Sequence, residues 1–88
     1  MSENNGTLSS DEPNRFVAAR LRELRRGARM SQAFLAERMT ERGCRWYQTT
    51  VNRIESARQE ATFSEVAALA EIFGVSIGSF SPPEQVAS

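Results

Sequence analysis

The side chains able to do chemistry in this chain are hydrogen-bonding and cationic ones, not nucleophiles or bases. There is no histidine among the 88 residues, so neither a Ser–His nor a Cys–His arrangement can form. The one cysteine, Cys44, has no second cysteine to pair with and no Cys/His cluster to hold zinc, and it reads as a turn residue. No glycine-rich loop is present to cradle phosphates. No cofactor and no metal are therefore expected, and the chain does not read as an enzyme. What remains is a polar run, Gln48-Thr49-Thr50-Val51-Asn52-Arg53-Ile54-Glu55, flanked by arginines. Glutamine can bond adenine twice, threonine can touch a thymine methyl, and arginine prefers guanine. Taken singly, each is also an ordinary exposed helix residue.

Charge distribution bears on that choice. The chain is neutral overall, with eleven arginines, no lysine and eleven acidic residues. All eleven arginines fall within 14–60, against five glutamates there, a balance of +6. Residues 1–13 and 61–88 each carry a balance of −3. A basic middle between acidic ends is the footprint of a phosphate-binding face. The plain alternative is that the arginines solvate helix surfaces.

The elements that must position these residues follow from apolar spacing. Apolar residues recur every three or four positions, the period of an α-helix, and no β-branched runs suggest strands. Residues 1–12 are polar and read as a disordered tail. Asp11-Glu12-Pro13 looks like a helix start, and a first helix from about Pro13 to Gly27 would bury Val17, Leu21, Leu24 and Ala28, with Phe16 alongside. Ser31 caps a second helix, Gln32 to about Glu41, which buries Leu35 and Met39 around a small Ala36. A third covers about Gln48 to Glu55, with Val51 and Ile54 inward. Thr62 to Glu65 has the capping-box pattern and opens a fourth helix that turns Val66, Leu69, Ala70 and Phe73 inward and stops at Gly74. Ser76 caps a short fifth holding Ile77 and Phe80, which Pro82-Pro83 ends. The expectation is an all-α, five-helix domain over 13–81, with a C-terminal tail over 82–88. No apolar stretch approaches the ~18 residues of a membrane span. The N-terminus lacks a signal peptide's basic start and apolar core. With its lone cysteine, the chain reads as a cytoplasmic protein.

Ser31-Gln32-Ala33-Phe34-Leu35-Ala36, then Val51-Asn52-Arg53-Ile54-Glu55, then Leu69-Ala70-Glu71-Ile72-Phe73-Gly74-Val75-Ser76 occur in that order. This succession resembles the lambda-repressor/Cro-like helix-turn-helix family, also called the xenobiotic-response-element family, over about residues 15–80. The resemblance implies a lambda-repressor-like fold and a transcriptional regulator, most often a repressor. Such proteins bind double-stranded DNA as homodimers on two-fold symmetric operators. The helix at about 48–55 would enter the major groove. It implies base or phosphate contacts by Gln48, Thr49, Thr50, Asn52 and Arg53, with Tyr47 at the helix start. It implies phosphate contacts by Arg45, Arg58 and Gln32, with Arg42 as a weaker candidate. Gln32 would also brace Gln48, and Arg25 would form a structural salt bridge with Glu55. Dimer contacts would come from Phe73, Ile77, Phe80 and the tail.

Three departures stand out. About five extra residues lie around Thr40 to Tyr47, where Trp46 reads as a core plug and Tyr47 as the N-cap of the third helix. Ala57 stands where the family commonly has glycine. Phe34 is apolar where the family is usually polar, so it either packs on the inserted turn or meets a partner. A protein-interaction module on the same scaffold, such as an antitoxin, is the alternative reading, because fold and function separate easily.

Overall fold

Each helix end in this chain is closed by its own local chemistry, and the ends decide where the helices stand. The computed structural model describes residues 2–82, with side chains from residue 14 onward. Four α-helices, α1 (Ser2–Gly27), α2 (Gln32–Glu41), α3 (Gln48–Glu55) and α4 (Phe63–Phe73), precede a 3-10 turn at Ile77–Phe80. At the start of α2, Ser31 Oγ accepts from the Phe34 N–H at 3.0 Å. At the start of α4, Thr62 Oγ1 accepts from the Glu65 N–H and Glu65 Oε1 accepts from the Thr62 N–H, a reciprocal capping box. Tyr47 opens α3 differently: its own N–H donates to Thr50 Oγ1 at 3.1 Å.

All four helices end in the same motif. A residue at the cap or just after it turns left-handed, and two backbone N–H groups fold back to carbonyls of the last turn. Gly43 (φ 90°) and Gly74 (φ 67°) fill that position after α2 and α4, where glycine meets no Cβ clash. After α1 and α3 the position belongs to Arg29 (φ 57°) and Ala57 (φ 62°). At α3 the paired bonds are Arg58 N–H to the Arg53 carbonyl at 2.8 Å and Ala57 N–H to the Ile54 carbonyl at 3.1 Å.

These ends bring one core together. Leu21, Leu35, Met39, Val51, Ile54 and Leu69 are fully buried, with Ala36, Trp46, Ala70 and Phe80 close behind. Val17, Leu24, Val66 and Phe73 pack on its edges. Burying each large aliphatic residue is worth about 1.5–3 kcal/mol, so this cluster is the main force holding α3 against α1 and α2.

The architecture corrects several expectations. Among the described residues there are four α-helices, not five, because the last element is a single 3-10 turn. Pro82 has no N–H to complete an α-type bond to Gly78, and Ser81 N–H bonds that carbonyl instead. The helical backbone of α1 begins at Ser2, not near Pro13. Pro13 thus lies inside the helix, where its fixed φ fits but its missing N–H leaves one i→i−4 bond unmade. Ala28 is exposed, because the chain has already left the helix at Gly27. Pro82 is buried and so belongs to the packed domain, and the remainder of the expected 82–88 tail lies outside the described residues. Among the described residues, no helix is long and apolar enough to cross a membrane.

Candidate nucleic-acid interface

The eight residues of α3 split cleanly into two faces. Val51, Ile54 and Glu55 are buried, while Gln48, Thr49, Asn52 and Arg53 are exposed. The exposed four sit at spacings of one, four and five, which puts them on one side of a helix. No carboxylate lies on that side, since the one acid of α3 is the buried Glu55. Arg45 and Arg58 are exposed at either end. Thr50 is half-buried, and its hydroxyl oxygen already accepts the Tyr47 N–H. Tyr47 itself is 63% exposed.

A buried polar frame holds α3 from behind. Glu55 takes a forked contact from Arg25: Nε donates to Oε2, and Nη2 donates to Oε1 at 3.1 Å. Arg25 Nη1 donates to the Met30 carbonyl at 2.7 Å, tying the turn after α1 into the same cluster. Gln32 Nε2 donates to Glu55 Oε1 at 3.1 Å. That bond corrects the expected Gln32–Gln48 brace. Glu55 is acceptor-only, so the Gln32 amide must turn its NH2 toward the carboxylate at the end of α3, not toward the residue at its start. The network therefore links the end of α1, the start of α2 and the end of α3. With the Arg25 and Glu55 side chains only 12% and 5% exposed, the pair is a structural clamp.

The inserted turn is held from the other side. Trp46 is 4% exposed, and its indole Nε1 donates to Glu65 Oε2 at 3.0 Å. Glu65 thus caps α4 with one oxygen and anchors the turn with the other. A capping box at Thr62–Glu65 is legible in sequence, but this second use of Glu65 is not. Phe34 does not join the inserted turn: it is 45% exposed, with the Arg38 guanidinium 5.7 Å from its ring centroid.

Arginine pairing sorts the basic residues. Arg20, Arg25, Arg38 and Arg42 are engaged by Glu23, Glu55, Glu41 and Glu71. Arg42 is engaged at the surface, its Nε 3.2 Å from Glu71. Arg22, Arg26, Arg29, Arg45, Arg53 and Arg58 have no carboxylate partner among the described residues. Three of these six flank or belong to α3. Among the described residues, no group of acids and cysteine could hold a metal ion.

Two helices packed across a short turn, the second presenting a polar, acid-free outer face and anchored by an apolar inner one, define a helix-turn-helix DNA-binding protein. A family model for the helix-turn-helix domain matches residues 17–78, and the chain belongs to that family. Its members are typically DNA-binding and not enzymatic. No curated protein and no solved structure matches the chain.

Proposed function

We propose that this protein is a sequence-specific transcription regulator of the lambda-repressor/Cro-like type, acting in the cytoplasm as a repressor. The observation that carries this reading is the outer face of α3, where four hydrogen-bonding side chains stand with no acid of α3 among them on a clamped helix. In this reading Gln48, Thr49 and Asn52 reach base edges, and Arg53 reaches a guanine or a phosphate. Arg45 and Arg58 hold the backbone on either side. Tyr47 and Thr50 complete the helix start, the first through its exposed hydroxyl and the second through its O–H. Gln32 acts mainly through Glu55.

The regulator binds as a homodimer. A two-fold contact must be self-complementary. Phe63 stands 78% exposed as one wall of an apolar recess of about 230 Å³ whose lining also includes Val17, Val66, Ile77, Phe80 and Pro82. A two-fold mate would place each Phe63 in the other's recess. Phe80 is 3% exposed and forms its floor, so it is not itself an outward contact as the sequence suggested. Phe34 supplies a separate apolar spot, and a protein partner on that side would co-purify with the chain.

Selection of bound duplexes from a random DNA pool tests the reading. The expected result is enrichment of an inverted repeat with half-sites about 34–36 Å apart. Absence of any enriched sequence overturns it.

A further inference from the structure

We propose that Arg22, Arg26 and Arg29, along α1 and the turn after it, form a second, sequence-independent contact to the DNA sugar–phosphate backbone, which rests on the DNA-binding reading above. All three are exposed, and none has a carboxylate partner among the described residues. Nearby acids are already taken: Glu23 pairs with Arg20, and Glu55 with Arg25. Three guanidiniums therefore stand without a neutralising acid on one element of a chain whose net charge is zero. Binding phosphate would break no existing pair.

Spacing aligns them. Arg22 and Arg26 are four residues apart and share a helix face, and Arg29 follows in the left-handed turn. At 1.5 Å per residue Arg22 and Arg26 stand roughly 6 Å apart along α1.

Position joins the ridge to the recognition helix. A polar recess of about 400 Å³ separates α1 from the end of α3, lined by Arg15, Ala18, Ala19 and Arg22 on one side and by Glu55, Ser56 and Ala57 on the other. On the α1 side Ala18 and Ala19 lie between Arg15 and Arg22, Glu55 is committed to Arg25 and Gln32, and the Ser56 hydroxyl donates to the Asn52 and Arg53 carbonyls. A backbone that passes the end of α3 would continue past Arg22. The competing account is that Arg26 and Arg29 only complement the negative end of the α1 dipole. Arg22 lies more than a turn back from that end, outside the range of the effect.

The experiment measures affinity of the full chain for a random-sequence duplex as salt is varied. The variants are Arg22→Gln/Arg26→Gln/Arg29→Gln and the charge-keeping Arg22→Lys/Arg26→Lys/Arg29→Lys. Log affinity falls with log salt at about 0.9 per phosphate contact. Loss of at least two contacts per protomer, four per bound dimer, lowers the slope by about 3.6, so the glutamine variant's deficit is roughly a hundredfold larger at 50 mM than at 200 mM salt. The lysine variant keeps the slope. A wild-type slope near zero refutes the DNA reading itself. A steep wild-type slope that the glutamine variant retains overturns the ridge alone, even if its melting temperature falls. Should the triple variant fail to fold, Arg22→Gln/Arg26→Gln leaves the turn intact, and an unchanged slope there refutes the proposal equally.

Discussion

Replacing Ala57 with glycine should make the protein more stable, against the usual effect of that substitution. Ala57 has φ 62°, where a side chain with a Cβ is strained by roughly 1–2 kcal/mol. Glycine relieves that strain but gains unfolded-state freedom that lowers stability by about 0.4–1 kcal/mol. The half-buried Ala57 methyl also loses some contact. The balance is a gain of several tenths to about 1 kcal/mol, or about 2–8 °C in Tm for a domain of this size. The folded turn does not change, because its bonds run through the backbone: the Arg58 and Ala57 N–H groups donate to α3 carbonyls, and the Ala57 carbonyl accepts from Asn14 Nδ2 at 3.3 Å. Thermal and urea unfolding followed by circular dichroism measures the difference. Ala19→Gly is the control, since Ala19 is exposed inside α1, where glycine should lower stability by about 1 kcal/mol. The two substitutions should move Tm in opposite directions. If Ala57→Gly also lowers it, α3 does not end in a left-handed turn, and the placement of Arg58 beside α3 fails with it.

Glu55→Ala should lose about 3–5 kcal/mol, because it strands the Arg25 guanidinium in a site where it is 12% exposed. Its DNA binding would then fall through unfolding, so affinity should track the folded fraction measured in the same buffer. Gln48→Ala or Thr49→Ala should lose about 1–3 kcal/mol on the selected site and relax preference at one or two base pairs, whereas Arg58→Ala should weaken all duplexes alike. Binding competitions across single-base variants separate the two patterns, and uniform losses throughout would mean α3 is not the reading helix. Phe63→Ser should leave Tm nearly unchanged, since the ring is 78% exposed, yet shift sedimentation toward monomer. An unaltered dimer would move the two-fold contact elsewhere.

Much of this protein is legible from local chemistry. The starts of α2 and α4 are set by Ser31 and by Thr62 with Glu65, residues within one turn of the N–H groups they cap, so spacing alone reveals them. The split of α3 into a polar quartet and an apolar pair follows from helical period, as does most of the core. Family membership is legible for the same reason, since the motif order survives an inserted turn.

What the chain order does not reveal is which distant side chains meet. The family resemblance braces Gln32 to Gln48, and the fold brings it to Glu55 instead. Trp46 reads as a plug, but only packing of the turn against α4 gives its indole N–H an acceptor on Glu65. Arg42 and Arg22 look alike in sequence, and the approach of Glu71 engages one and not the other. Phe80 and Ile77 share a turn, yet only the packed turn decides that the first is buried and the second lies at the surface. Caps and helical faces are fixed by neighbours a few residues away. Pairing, burial and the charge left for DNA depend on distances between residues tens of positions apart, which exist only once the helices have docked.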